Sequence, residues 1–375
     1  MIRRKGQDFD VVVVGAGPAG VGVGVILKHL GVERFALLER DQVGASFARW
    51  PEEMRFITPS FPGNGFGAMD LNAVALATSP AFTLGKEHPS GAEYAAFLEA
   101  VAEHFELPVR TGVEVEAIEP RRRGFRLRTS EGEIRSRFVV WAAGEFQYPR
   151  MNGFPGAGEC VHSSAVPSWS ASEGDERVVI GGYESGIDAA IHLARAGRRV
   201  TVLDAKRRWK DRSTSDPSHT LSPFTQERLT AALETDRITL VPDAPVASVV
   251  RNGTGWEVRC EDGTTFSTGH PPIMATGFRG SLETIAHLFE RQENGDVLLS
   301  EMDESTRTPG LFVAGSEIRH QQAVFCFIYK FRLRFPVVAG AIAQRLGMDT
   351  SEIEVYRQAG MYLDDLSCCG EECVC

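Results

Sequence analysis

Two groups of residues in this chain have the types and spacing to do chemistry. The first is a set of thiols: Cys368, Cys369, Cys373 and Cys375 crowd the last eight residues, whereas Cys160, Cys260 and Cys326 are scattered through the body. Vicinal and near-vicinal sulfurs suit reversible disulfides and soft ions, with a four-thiolate zinc site as the alternative. We read the four tail cysteines as the candidate catalytic residues and assign no resident metal. The neighbouring Asp364, Asp365, Glu371, Glu372 and terminal carboxylate favour neutral thiols, so activation has to come from elsewhere. The basic run Lys330, Arg332 and Arg334 offers a dock for this acidic arm, the alternative being that these cations face solvent or phosphate.

The second group is a pair of glycine turns. Gly15-Ala16-Gly17-Pro18-Ala19-Gly20 follows a run of four valines and precedes a helical segment. The first glycine permits the tight turn, the second lets a pyrophosphate approach the backbone, and the third packs helix on strand. A helix N-terminus adds free N–H groups and partial positive charge. Glu39, about 20 residues further on, is placed to accept from both ribose hydroxyls of an adenosine. The second turn reads Gly181-Gly182-Tyr183-Glu184-Ser185-Gly186, followed by Asp204. Tyr183 replaces the middle glycine, and its β-carbon crowds a pyrophosphate, so binding there is shifted, weakened or gated. Asp204 favours a free 2′-hydroxyl, while Lys206, Arg207 and Arg208 suit a 2′-phosphate.

These turns need strands and helices to hold them, and the chain supplies them twice. One offset carries Gly15 to Gly181 and Gly20 to Gly186, and Glu39 falls one residue short of it at Asp204. Each copy reads strand, turn, helix, strand, acid. Each is followed by three short strands: Val113 to Ile118, Phe125 to Thr129 and Ile134 to Val140 in the first, and Val246 to Val250, Trp256 to Cys260 and Thr264 to Ser267 in the second. Each closes on a small-residue turn, Ala142-Ala143-Gly144 or Ala275-Thr276-Gly277.

The expected fold is α/β with two Rossmann-like domains, each carrying a small antiparallel meander. The first covers 1–165 and 275–350, the second 166–274, and 351–375 forms a terminal helix and cysteine tail. An insertion from Gly44 to Leu107 holds a helix starting at the capping box Ser90 to Glu93, and Phe47, Trp50, Phe56, Phe61, Phe66 and Phe82 suit it to wall an apolar pocket. A helix is expected from Val324 to Leu346, and another from a Ser351-x-x-Glu354 start.

Composition bounds the partners. The chain has 375 residues, 40 basic against 50 acidic, and net charge −10. That excludes a nucleic-acid or anionic-membrane surface as the main partner. The uncharged run Val11 to Leu27 imitates a membrane anchor, but its five glycines and a proline break it into strand, turn and helix. Scattered body cysteines suit a reducing cytoplasm.

The motifs together resemble the flavoproteins with two dinucleotide-binding domains: thioredoxin reductases, bacillithiol disulfide reductases and flavin-containing monooxygenases. The resemblance spans residues 8 to 346. It rests on Gly15 to Gly20 with Glu39, Ala143-Gly144 with Tyr148-Pro149, Phe154-Pro155-Gly156, Gly181 to Gly186, Ala275-Thr276-Gly277 and Gly310 to Gly315. It implies FAD at the first turn, held also by Arg40, Trp50, Val115, Ala143, Gly144, Gly315 and Ser316, and NADP or NAD at the second, with Thr276 and Gly277. Where such proteins have Ala-Gly-Asp, this chain has Ala314-Gly315-Ser316, which leaves the flavin contact to Ser316 or Glu317. Gly156-x-Gly158-x3-His162 keeps part of the monooxygenase interdomain motif, and the Cys-x-x-Cys of thioredoxin reductases is absent.

The tail Leu366 to Gly370 looks like the end of mercuric reductases. The resemblance therefore implies an FAD-dependent NAD(P)H oxidoreductase with a small-molecule or thiol/disulfide substrate or a soft-metal substrate. A monooxygenase acting on a soft nucleophile and a flavin-bearing sensor or metal-binding protein are the alternatives. Dimers are common in that group, which leaves a homodimer open.

Overall fold

The computed structural model describes residues 8–63, 67–214, 216–321 and 323–367. The four tail cysteines and Phe66 lie outside the described residues.

The first sheet is built around β1 (Phe9–Val14), whose last four valines are buried because the strand is covered on both faces. β2 (Phe35–Leu38) pairs with it in parallel on one side and β3 (Val109–Arg110) continues that edge. On the other side lies β6 (Gly132–Trp141), which also forms an antiparallel meander with β5 (Gly124–Thr129) and β4 (Val115–Arg121). The three meander strands fall where the sequence puts them, since alternating apolar residues and glycine turns are local signals.

The second sheet repeats this plan. β8 (Glu176–Ile180) pairs in parallel with β9 (Arg199–Leu203), and β10 (Ile238–Val241) extends that edge. β11 (Val246–Asn252), β12 (Gly255–Cys260) and β13 (Thr265–Thr268) form the separate meander, and β14 (Ile273–Met274) returns beside β8. A short strand, β7 (Val161–His162), pairs with β14, so residues 161–162 belong to the second sheet although the sequence reading ends the first unit at 165. Met151, Phe154, Ala157 and Cys160 pack with the second meander as well. Backbone pairing and apolar contacts draw this segment across, and neither has a local signature. Last, β15 (Leu311–Val313) pairs with β6 and completes the first sheet.

The two glycine turns are the same object in space. Gly15 and Gly181 have φ of +104° and +110°, the left-handed region that glycine adopts without strain. A β-carbon on Gly20 or on Gly186 would lie 1.9 Å from the carbonyl oxygen of Gly15 or Gly181. These glycines let the helices Pro18–His29 and Glu184–Arg195 approach their strands.

Three local expectations are corrected. The helix expected from Val324 to Leu346 starts later and is broken: Val324 is a strand residue, and a one-turn α-helix Ile328–Phe331 and a 3-10 step Arg332–Arg334 precede the helix Phe335–Leu346. Pro336 sits in the first turn of that last helix, where its missing N–H is harmless, so the regular helix starts there. At Ser351 no capping box forms. Its hydroxyl bonds Asp349 and the helix begins at Ile353, whereas the insertion helix Gly91–His104 does carry the full Ser90–Glu93 box.

The third correction concerns the basic run. Lys330, Arg332 and Arg334 are all buried and all engaged internally. Lys330 Nζ lies 2.7 Å from both Asp216 oxygens, Arg332 donates to the carbonyls of Asp70 and Ala73, and Arg334 donates to Asp303 and to the carbonyls of Glu301 and Leu363. They form no dock for an acidic arm. Among the described residues no helix is long and apolar enough to cross a membrane.

Candidate functional site

The helix Pro18–His29 has Gly17 as its N-cap with no side-chain cap and no acidic residue in its first turn. Its free N–H groups therefore end at a cavity of about 390 Å³ lined by Gly15, Gly17, Pro18, Ala19, Glu39 and Trp50 from the first part of the chain. A β-carbon on Gly17 would have nothing within 4 Å, so this glycine faces open space. Glu39, at the end of β2, accepts from Ala16 N–H at 2.8 Å and from Asp41 N–H at 2.9 Å. Each carboxylate oxygen keeps further acceptor capacity for a ribose. A narrower extension between Glu39, Arg40 and Val115 continues past the end of the sheet.

The opposite wall comes from distant segments. Ala143 and Gly144 follow β6, and Gly315 and Ser316 follow β15. Ser316 faces the cavity, whereas Glu317 turns behind the wall, where it accepts from Ser281 N–H at 3.0 Å and Leu282 N–H at 3.1 Å. Of the insertion's aromatic residues, Phe47, Trp50 and Phe56 line the cavity as a packed cluster with Tyr94 behind, while Phe61 and Phe82 are exposed.

The second glycine turn reaches the same cavity through Ser185, in the first turn of its helix, together with Ser163, Ser164 and Phe278. Gly181, Gly182 and Gly186 do not line it, and a β-carbon on Gly182 would meet Trp209 at 2.4 Å and Asp204 at 2.7 Å. The Tyr183 ring is drawn sideways, its hydroxyl donating to the carbonyls of Pro217 at 2.6 Å and Thr220 at 3.1 Å, and burial pushes the phenol up. Glu184 is half-buried and its carboxyl is raised by desolvation, against hydrogen bonds from Ser222 and Thr225.

Asp204 accepts from Arg208 N–H at 2.8 Å, and the Arg208 guanidinium stands over the Tyr183 ring at 5.4 Å. Arg207 is drawn off to Asp243 on the surface, so Arg208 rather than Arg207 is the cation beside the turn. Thr276 and Gly277 line no described cavity. They hold the linker, Gly277 accepting from Arg150 N–H at 2.9 Å and Thr276 donating to the Arg150 carbonyl at 3.3 Å.

His162 is a structural group. Its Nδ1 accepts from Ser164 N–H, which leaves Nε2 to donate to the Gly277 carbonyl at 3.1 Å, and burial holds the ring neutral by lowering its pKa. Cys326 lines the cavity wall and donates to Ser218 Oγ at 3.2 Å. Burial raises its thiol, as it raises Cys160 to about 12.

Three ties hold the two halves over this cavity. Glu53 accepts from Ser168 Oγ at 2.7 Å and from the N–H groups of Trp169 and Ser170 at 2.9 Å each. His88 stacks on Phe224 at 3.7 Å between ring centres, and Lys330 meets Asp216 and Ser218. Burial opposes ionisation of Glu53, yet its hydrogen bonds hold its pKa down to about 2 from 4.5. A depressed carboxyl stabilises the folded state above its unfolded value and loses that contribution as pH falls toward the folded one. We therefore expect acid titration between pH 4.5 and 2 to loosen this tie, and Glu53→Gln to flatten the pH dependence of the melting temperature in that window. An unchanged slope in the variant rejects the assignment.

A family model described as pyridine nucleotide-disulphide oxidoreductase matches residues 12–315. The chain belongs to the pyridine nucleotide-disulphide oxidoreductase family. FAD and NAD(P)H are the cofactors of this family of enzymes, and the first cavity fits FAD: an uncapped helix N-terminus, a glycine facing open space and an acid at the second strand's end.

Among curated proteins, the uncharacterized oxidoreductase CzcO of Bacillus velezensis is 29% identical over 209 residues, which is 52% of this chain and 54% of CzcO, so the chain matches about half the length of that relative. Among solved structures, the bacillithiol disulfide reductase Bdr (YpdA) from Staphylococcus aureus superposes with a TM-score of 0.74 at 19% identity, covering 90% of this chain and 99% of Bdr. A flavin-containing monooxygenase from Stenotrophomonas maltophilia gives 0.67 at 18% identity, covering 91% and 99%. At these identities the structural likeness bears on the fold: this oxidoreductase has the two-domain architecture of both.

Sequence reasoning missed Glu145, Ser163, Ser164 and Phe278 as cavity residues. None carries a motif, and each is brought in by a strand end or linker. The aromatic content of the insertion was the one usable signal for the remaining wall.

Proposed function

We propose that this oxidoreductase takes electrons from NADPH, with NADH as the alternative donor, and passes them through FAD in the first cavity to a sulfur substrate (thiol or disulfide) or a soft-metal species. The observation that carries the reading is a single cavity walled by both nucleotide-binding halves, with Gly15 and Gly17 on one side and Ser185 on the other. A nicotinamide entering from the second turn meets the first site without a large domain rotation, and the three ties favour that arrangement.

The cofactors supply hydride and two-electron chemistry when bound. The chain's residues bind and orient. The N–H groups of Gly17, Ala19 and Gly20 would hold a pyrophosphate, Glu39 would fix a ribose, and Phe47, Trp50 and Phe56 would exclude water. Arg208, stacked on Tyr183 and anchored through Asp204, supports NADPH as the preferred donor. The body cysteines Cys160, Cys260 and Cys326 are free thiols, which supports a reducing, cytoplasmic setting. A monooxygenase is the second reading, supported by the part of the interdomain motif that Gly158-x3-His162 keeps, with His162 packed edge-on to the cavity residue Phe278 at 5.2 Å as a structural group.

Anaerobic stopped flow tests the reading. NADPH is expected to bleach the flavin absorbance within the mixing experiment, and a low-molecular-weight disulfide to restore it. A long-lived band that forms only on adding oxygen favours the monooxygenase, and no bleaching by either nucleotide refutes both. Removing the residues after Leu366 asks whether the tail thiols belong to the electron path. We expect reduction by NADPH to be unchanged and reoxidation by disulfide to slow at least about tenfold, a barrier change near 1.4 kcal/mol. Equal reoxidation rates show the tail to be a bystander.

A further inference from the structure

The two glycine turns share a backbone and differ in what their own chain puts on it. Gly17 and Tyr183 hold the same place, the N-cap of the following helix, with φ and ψ of −79° and −170° at Gly17 and −106° and −166° at Tyr183. At the first turn Gly17, Pro18 and Ala19 all line the cavity, and a β-carbon on Gly17 would meet nothing within 4 Å. Of residues 181–186, Ser185 alone lines it. A side chain on this extended N-cap leaves the backbone in the direction that is open at Gly17, so the Tyr183 ring sets out across the helix N-terminus.

Both departures from the first turn are fastened to one segment, 216–222, which leads into the helix Pro223–Leu233. The Tyr183 hydroxyl donates to the carbonyls of Pro217 at 2.6 Å and Thr220 at 3.1 Å. Glu184, where the first turn has Pro18, accepts from Ser222 N–H and, at 2.6 Å, from the hydroxyl of Thr225 just beyond the segment. The far side of the segment is held by the first half of the molecule. Lys330 Nζ lies 2.7 Å from both Asp216 oxygens and 2.8 Å from Ser218 Oγ, and Cys326 in the cavity wall donates to the same hydroxyl at 3.2 Å.

A pyrophosphate at a helix N-terminus needs close approach to free N–H groups and gains from positive partial charge there. The helix Pro18–His29 offers both, with no acid in its first turn. The helix Glu184–Arg195 instead presents a phosphate with an aromatic ring at its N-cap and a carboxylate in its first turn, each locked by its bonds to or beside the segment.

We propose that segment 216–222 is a latch that holds Tyr183 across the second nucleotide turn, and that a nicotinamide nucleotide enters by displacing the Tyr183 hydroxyl from the carbonyls of Pro217 and Thr220. The inference rests on the reading that NAD(P)H reduces the flavin from this turn. Tyr183 is then a positioning residue for nucleotide entry, and Lys330 anchors the latch to the half that holds the flavin. Part of the nucleotide's binding free energy goes into opening the latch, so its apparent affinity is reduced by the fraction of molecules in which the latch is open.

Tyr183→Phe tests this, because it removes both hydrogen bonds and leaves an aromatic ring beneath the Arg208 guanidinium. NADP+ and NAD+ are titrated into the oxidised holoenzyme, and flavin reduction by NADPH and NADH is followed anaerobically. We expect the Kd of the bound nucleotide to fall at least about fivefold, the scale of the hydrogen bonds removed. Reduction at sub-saturating nucleotide should quicken in proportion, while reduction by dithionite stays the same. Hydrogen exchange in the wild type is the second measurement and needs no variant: amides of residues 216–222 are expected to exchange faster with saturating nucleotide bound. Equal or weaker affinity in Tyr183→Phe, or slower exchange of 216–222 on binding, overturns the latch and leaves the functional reading intact. No bleaching of the flavin by either reduced nucleotide in either protein overturns both.

Discussion

Gly17→Val is expected to give a folded protein that has lost its flavin. Gly17 has φ of −79°, a conformation open to any residue, and a β-carbon there meets nothing within 4 Å, so the protein itself has no reason to resist the change. The added branches project into the space over the helix N-terminus, where a pyrophosphate must come within hydrogen-bond distance of the N–H groups. Overpacking a close contact costs about 1–3 kcal/mol, and losing backbone hydrogen bonds to a charged group adds about as much. We therefore expect flavin affinity to fall by at least about a hundredfold, near 3 kcal/mol. The measurement is the ratio of flavin to protein absorbance after purification and reconstitution, beside a thermal melt of the apoprotein. Gly20→Val is the contrasting control, because its β-carbon would lie 1.9 Å from the Gly15 carbonyl and the domain should fail to fold. Wild-type flavin affinity in Gly17→Val removes the first cavity as the FAD site.

Arg334→Met should be among the most destabilising single changes in the first domain. Arg334 and Asp303 are both fully buried, with Nε 2.8 Å and Nη2 3.0 Å from the two carboxylate oxygens, and His320 Nε2 meets the same carboxylate at 2.5 Å. The guanidinium also donates to the carbonyls of Glu301 and Leu363, so it joins the loop before β15 to the segment leading toward the tail. Removing the cation leaves Asp303 buried with His320 as its remaining ionisable partner, and two carbonyls lose their donor. Breaking a buried pair in this way costs about 3–5 kcal/mol. Denaturant unfolding of the apoprotein reads the loss directly. The variant Asp303→Asn with Arg334→Met should recover part of it, since no unpaired carboxylate remains. A loss below about 1 kcal/mol, the scale of an exposed pair, contradicts the burial argument.

The same arginine shows where sequence reading stops. Lys330, Arg332 and Arg334 look like a basic stripe because their charges are visible in the sequence while their partners are not. Asp216, the Asp70 and Ala73 carbonyls, and Asp303 lie elsewhere in the chain, and the fold brings each one in. Arg207 is a similar case: the sequence shows a cation after Asp204, and only the fold places Asp243 beside it and leaves Arg208 over Tyr183. The sheet to which residues 161–162 belong is likewise not legible locally, since β7 has two residues and its membership is decided by pairing with β14.

What the sequence determined by itself was everything that a single strand, turn and helix can encode. The two glycine turns, their acids, the duplicated meanders and the capping box of the insertion helix all follow from residues within a few tens of positions of one another, because backbone conformation and close approach are local requirements. Only the tertiary structure decided that both turns open on one cavity, that Glu53, His88 and Lys330 hold the halves over it, and that Glu145 lines it while Glu317 turns behind its wall to Ser281. Those facts depend on which surfaces the two cores leave facing each other. Burial and pairing between segments more than a hundred residues apart set that choice, and residue spacing does not record it.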